Sequence, residues 1–239
     1  RLLRRVEPMV AMMDVSETAW SDRRRALIAE IESEMAELES RLGKGVLDPR
    51  VVSAMASVPR HEFVARDLWD RAYVNAPLPI GFGQTISQPF IVALMTDMLA
   101  LAPTDRVLEI GTGCGYQSAV LARLAHEVFS VEIVPELADA ARERLKRLGF
   151  ANVEIRAGDG RAGWPERAPF DAVMVTAAAR EIPATLLAQL KPGGRMAIPL
   201  GNRMLGQDLV LVRKDQDGSV SQRVVLPVAF VPLVKSKQN

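Results

Sequence analysis

Between residues 21 and 42 the apolar side chains of Leu27, Ile31, Met35, Leu38 and Leu42 return every three or four positions among charged neighbours, which is the spacing of one narrow helical stripe. The GKG at 43–45 ends that helix, and Asp48 ahead of Pro49 has the order of an N-cap and a first helical residue for a short second one. Another helix is predicted to start at Pro89. Beyond residue 100 strand and helix patterns alternate. RVLEI (106–110), EVFSVEI (127–133), NVEIRAGD (152–159), FDAVMVT (170–176) and RMAIPL (195–200) read as strands. Between them GYQSAVLARLA (115–125), PELADAARERLKRLG (135–149) and IPATLLAQL (182–190) read as helices, with KPGG (191–194) as a turn. Such alternation builds an α/β fold whose parallel sheet is covered on both faces. The tail, DLVLVRKD, DQDGS and VSQRVVLPVAFVPLV, adds an antiparallel hairpin at the sheet edge.

The change of pattern divides the chain into a helical extension, residues 1–45, and a main domain, residues 46–239. The stripe on the extension leaves two partners open, a second chain or the main domain itself, and its length of about three heptads gives the second chain no advantage. A monomer is expected, with this helix as the place for any dimer contact. The 239 residues suffice for a core without disulfides or metal. Cys114 is the single cysteine, and the two histidines, His61 and His126, form no cluster at ligand spacing, so no metal site is expected. A net charge of +1 with scattered basic residues, RLLRR at the start and Arg23 to Arg25 included, reads as solvated helix faces and gives no nucleic-acid partner. The longest apolar runs are broken by proline and fall short of the ~20 residues of a membrane span, and no signal-peptide pattern is present. A soluble cytoplasmic protein is the expectation.

Candidate chemistry starts with VLEIGTGCGYQ, which places Gly111, Gly113 and Gly115 between a strand and a helix, where the ligands of parallel sheets bind. Many α/β proteins need such a turn for packing alone. Glu132 sharpens the signal, because it closes the next strand about twenty residues on, where a carboxylate can accept both hydroxyls of a ribose. A pyrophosphate-binding loop would carry a third glycine at 116, and this chain has Tyr116. It has instead Glu109 two places ahead of the glycines and a second glycine-flanked acid, GDG at 158–160. That arrangement resembles the S-adenosylmethionine fold of methyltransferases, as does LKPGGRMAIPL, and its ligand carries no phosphate.

Four stretches narrow the resemblance: AGDGRAGWPERAPFDAV (157–173), IGFGQTISQPFIVALMTDML (80–99), VPRHEFV (58–64) and VAFVPLV (228–234). Together they resemble the protein-L-isoaspartate O-methyltransferase family from about Pro49 to Val234. The resemblance implies a doubly wound, S-adenosylmethionine-dependent methyltransferase fold with added elements at both ends. It implies methylation of the α-carboxyl of isoaspartyl residues in damaged proteins and peptides, with S-adenosylhomocysteine as the product and no metal. By position it implies cofactor contacts at Gln84, Thr85 and Ile86, in the loop containing Gly111, Gly113 and Cys114, at Glu132 and Ile133, and at Asp159 and Gly160. It implies that Thr176, Ala177, Ala178 and Val231 line the substrate site, and it aligns Ser87 with the family's active-site serine. By residue pattern alone, Ser87 is the N-cap of the helix at Pro89. Three positions depart from the family pattern: Asn75 for a frequent aspartate, Cys114 in the glycine loop, and Arg180 in AAAREIP. Two other readings use the same residues. One is a related enzyme acting on an ordinary aspartate in a dedicated peptide. The other is a nucleotide-binding module without turnover, against which the complete QTIS stretch argues.

Overall fold

The structure is a computed structural model that describes residues 16–202 and 204–235, so the RLLRR start lies outside the described residues. Helix α1 (Glu17–Glu37) begins a turn earlier than its stripe predicts, because the side chain of Ser16 accepts a hydrogen bond from the Ala19 N–H. Trp20, Leu27, Ile31 and Met35 are buried, and the last three share a hydrophobic core with helices of the main domain. Trp20 stacks on His61 at 4.2 Å, and the Nδ1 of His61 lies 2.7 Å from the Tyr73 hydroxyl. The stripe is therefore covered by this chain. Helix α2 (Glu39–Leu42) ends at Gly43, whose φ of 78° is a left-handed cap, and α3 (Pro49–Ser57) starts at Asp48, whose carboxylate accepts from the Arg50 N–H.

Two short 3₁₀ turns, Arg60–Phe63 and Arg66–Arg71, lead into strands β1 (Leu78–Gly81) and β2 (Gln84–Ile86). These form a small antiparallel hairpin of their own, with positive φ at Gly81, Phe82 and Gly83 making the reversal. The glycine-rich stretch ahead of Pro89 is thus a hairpin, followed directly by α4 (Pro89–Leu99). Then β3 (Arg106–Ile110), α5 (Tyr116–Ala122), β4 (Glu127–Glu132), α6 (Pro135–Arg147) and β5 (Val153–Ala157) alternate as predicted. They are followed by β6 (Phe170–Val175), α7 (Ala184–Gln189), β7 (Leu190–Asn202), β8 (Gly206–Lys214) and β9 (Val220–Val228).

Among the described residues β3 to β9 form one sheet in the order β5-β4-β3-β6-β7-β8-β9, parallel through β7 and antiparallel from β7 to β9. The KPGG read as a turn lies inside β7. Leu190 pairs with Phe170 and Arg195 with Ala172, so the intervening residues form a bulge, which Gly193 enters at a φ of 82°. Asp171 fastens the start of β6 by accepting from the Arg106 N–H at 2.9 Å and from Lys191 Nζ at 2.7 Å. The chain winds one way from β3 to β4 and β5, and the other way through β6 and β7. The crevice beyond the carboxyl ends of β3 and β6 is where such sheets hold ligands.

Candidate active site

Strand β3 delivers Ile110 to that crevice, and the chain turns at Gly111, whose φ is 95° and whose N–H donates to the Val131 carbonyl at 2.8 Å. A Cβ at Gly111 would collide with Thr176 Oγ1, which itself donates toward the Gly111 carbonyl at 2.7 Å. Only glycine lets β3 and the exit of β6 approach so closely. At the end of β4, Glu132 is 4 % exposed and accepts two main-chain hydrogen bonds, from Gly113 N–H at 2.8 Å and from Val134 N–H at 3.0 Å. Its carboxylate is therefore fixed in place with lone pairs left for a ligand. A Cβ at Gly160 would strike the side chain of Ile110, which makes the turn after β5 a second tight approach.

Glu109 stands behind the loop and is completely buried. Ser118 and Ser130 both donate to its Oε2, the latter at 2.6 Å, and the Thr112 and Ser130 hydroxyls lie 2.5 Å apart. Burial pushes its carboxyl up to about 7 against the pull of those two hydroxyls, with the Glu132 charge adding to the rise. Among the described residues its Oε1 has no partner.

Two cavities open at this end of the sheet. The first is lined by Gln84, Thr85, Ile110, Gly111, Gly113, Val131, Glu132, Ile133, Gly160, Thr176, Ala177 and the segment 231–234. It offers main-chain surface at its glycines, one fixed carboxylate and apolar walls, and its lining includes no lysine or arginine. This lining fits the adenosine and methionine arm of S-adenosylmethionine: Glu132 would take the ribose hydroxyls, the glycine loop would meet the amino-acid end, and Ile133 would face the adenine. The second cavity is lined by Pro77, Ser87, Gln88, Ile91 and residues 227–230, and it shares Thr85, Thr176 and Val231 with the first. The two cavities meet at those three side chains. Among the described residues no group of three His, Cys, Asp or Glu side chains is placed to hold a metal ion.

Ser87 opens into the second cavity and, like Thr85, makes no side-chain hydrogen bond to the described residues. The N-cap position is Gln88, and the Phe90 N–H is taken at 3.0 Å by Oδ1 of Asn75. The serine side chain therefore does not cap α4. Other predicted positions contribute differently from their neighbours. Ile86 is buried opposite Leu78, and Cys114 packs its thiol into the core, where burial raises its pKa above the ordinary 9.0. Asp159 turns its carboxylate to Arg161, with contacts of 2.6 and 3.1 Å. Ala177 lines the first cavity, while Ala178 joins the tail by main-chain bonds to Val231 and Leu233, both 2.8 Å. Arg180 is exposed and faces a separate groove with Thr185, Asn202 and Lys235.

Sequence reasoning missed two residues at this site. Gln207 grips the main chain of Phe230 from both sides, accepting from its N–H at 2.6 Å and donating to its carbonyl at 3.1 Å. Arg60 is wholly buried behind Ser87. The available signal for Arg60 was its position in VPRHEFV, a basic residue inside an apolar run.

The family model for Protein-L-isoaspartate(D-aspartate) O-methyltransferase matches residues 32–238. A protein-L-isoaspartate O-methyltransferase 2 of Syntrophobacter fumaroxidans is 56% identical over 210 residues, covering 88% of this chain and 85% of the relative. Another from Polaromonas is 56% identical over 207 residues, 87% of this chain and 98% of the relative. A solved protein-L-isoaspartate O-methyltransferase superposes with a TM-score of 0.78 at 29% identity, covering 89% of this chain and 66% of the other. A Plasmodium falciparum structure described as a putative member in complex with S-adenosyl-L-homocysteine gives 0.69 at 26% identity, covering 85% and 98%.

Proposed function

The chain belongs to the protein-L-isoaspartate(D-aspartate) O-methyltransferase family, and from that premise we propose how its own residues perform the reaction. The activity is S-adenosylmethionine-dependent methylation of a protein carboxyl group, with isoaspartyl residues as substrates. When bound, the cofactor supplies an electrophilic methyl group, which passes to a carboxylate oxygen while the sulfur keeps the electrons of the broken bond. A carboxylate is ionised at neutral pH, so the nucleophile arrives ready and no proton has to be removed.

The observation that carries our assignment is the junction of the two cavities at Thr85, Thr176 and Val231. The isoaspartyl side enters past Ser87, and Thr85 and Ser87 turn otherwise unengaged hydroxyls toward its carboxylate. Glu132 and the glycine loop hold the donor on the other side. Apolar Ile91, Val228 and Phe230 exclude water that would solvate the anion. Bringing the two reacting groups together in a dry junction is the protein's main contribution.

The cofactor and substrate machinery lies in residues 46–239, and the extension braces it from outside. We read the protein as a monomer, which the self-covered stripe of α1 supports, acting on other proteins in the cytoplasm. Among the described residues no helix is long and apolar enough to cross a membrane. The direct test is methyl incorporation from labelled S-adenosylmethionine into two synthetic peptides that differ only in aspartyl or isoaspartyl linkage. Labelling of the isoaspartyl peptide alone is expected. Preference for the aspartyl peptide would overturn the reading.

A further inference from the structure

The wall of the substrate cavity is made of hydroxyls, main chain, an amide and apolar side chains, with no lysine, arginine or histidine. An isoaspartyl carboxylate entering it leaves water as an anion, a costly transfer, and apart from the sulfonium of a bound methyl donor the cavity wall offers it no compensating charge. Arg60 touches this wall from behind. Its guanidinium donates to the Ser87 carbonyl at 2.8 Å, to the Ala72 carbonyl at 2.9 Å and to the Ala76 carbonyl at 3.4 Å. Its other face lies 4.8 Å from the centre of the Tyr116 ring, just after the glycine loop.

Arg60 is 0 % exposed, and among the described residues no carboxylate forms an ion pair with it. The nearest acid in sequence, Glu62, is engaged by Arg147 at 2.7 Å, and among the described residues Nη1 of Arg60 has no hydrogen-bond partner. Three carbonyls could be satisfied by neutral donors. A full, permanent positive charge with no internal counter-ion is more than that task requires, because arginine does not deprotonate in proteins.

We propose that Arg60 is a positioning residue for the anionic substrate: its buried charge, carried to the cavity through the main chain of Ser87, draws the isoaspartyl carboxylate against Thr85 and Ser87. The inference rests on the isoaspartyl reading of the cavity given above. At an effective dielectric near 20, two opposite charges within roughly 10 Å of each other change affinity by about ten-fold or more. Esterification removes the substrate's charge, so the attraction is greatest in the ground state, fades through the transition state and is absent in the product. It therefore lowers KM without raising kcat, and it does not hold the product back.

The test is an equilibrium titration in the presence of S-adenosylhomocysteine, with an isoaspartyl peptide and the same peptide carrying a carboxamide in place of the α-carboxyl. Wild type, Arg60→Lys and Arg60→Gln are compared, with steady-state kinetics alongside. Wild type is expected to favour the carboxylate by about ten-fold or more, and Arg60→Lys to keep most of that preference. Arg60→Gln should abolish it, raising KM by roughly ten- to a hundred-fold while kcat holds or rises. Equal losses for both peptides in Arg60→Gln would mark a purely architectural role and overturn the proposal. A wild-type protein that does not distinguish carboxylate from carboxamide would overturn it even if neither variant folds. Wild type that fails to methylate the isoaspartyl peptide would instead overturn the functional reading, whereas methylation without a carboxylate preference removes the role of Arg60 alone.

Discussion

Ser87 has a hydroxyl with no hydrogen bond to the described residues, and it lines the cavity that we assign to the substrate. A side chain that supports nothing internally can be removed without harm to the fold, so Ser87→Ala is expected to melt close to wild type. One hydrogen bond to a charged group is worth roughly 1.5–3 kcal/mol, which predicts a fall in kcat/KM of about ten- to a hundred-fold with cofactor affinity kept. A loss of stability with normal turnover would return Ser87 to a capping role. Glu109 makes a different residue-scale statement, about pH. Its folded-state pKa of about 7 lies above the ordinary 4.5. The folded state then holds a proton that the unfolded state has released, so the contribution is complete below the unfolded value and is lost as pH rises through about 7. Denaturant titrations at pH 4.5 and pH 8 should show Glu109→Gln gaining on wild type across that interval by roughly 2–4 kcal/mol. A constant difference between the two proteins would mean that Glu109 ionises at its ordinary value.

Among the elements, α1 explains a residue that departs from the family pattern. Asn75 donates to Glu34 of α1 at 2.8 Å and accepts from the first turn of α4, so it joins the added helix to the segment that carries Ser87. An aspartate at 75 could still accept from α4 but would set two carboxylates against each other. Burial already holds the Glu34 pKa above its ordinary value, and Asn75 is the group that lowers it. Asn75→Asp is expected to cost about 1–2 kcal/mol at pH 8, with most of it recovered when Glu34→Gln restores a donor. Equal costs in both backgrounds, measured by urea unfolding, would disprove the coupling. This pairing was illegible in the sequence because it spans 41 residues and has no local pattern. The long alternating elements were legible because buried strands and amphipathic helices write their period into a few consecutive residues. Where the period was interrupted, reading failed. Glycines at 81 and 83 hid the small hairpin β1–β2, and those of KPGG made a bulge look like a turn.

Over the whole molecule, the winding of the sheet was readable and the contents of its crevice were readable only in part. Glu132 and the glycines announce themselves by position, since the end of a parallel strand is where ligands bind. Arg60 and Gln207 do not, because a polar residue is assigned to the surface until structure shows what surrounds it. Gln207 holds Phe230, the next residue Val231 borders both cavities, and Ala178 holds the carbonyl of Val231. A side chain shared by two cavities cannot settle against one occupant without altering the room left for the other. The ligands are therefore expected to be thermodynamically linked. S-adenosylhomocysteine should raise peptide affinity by about five-fold or more, the peptide should raise its affinity by the same factor, and Gln207→Ala should weaken both effects together. Independent binding by calorimetry would refute this. Linked in this way, the chain would hold a peptide more tightly with the donor pocket filled and would release sooner a peptide met with that pocket empty.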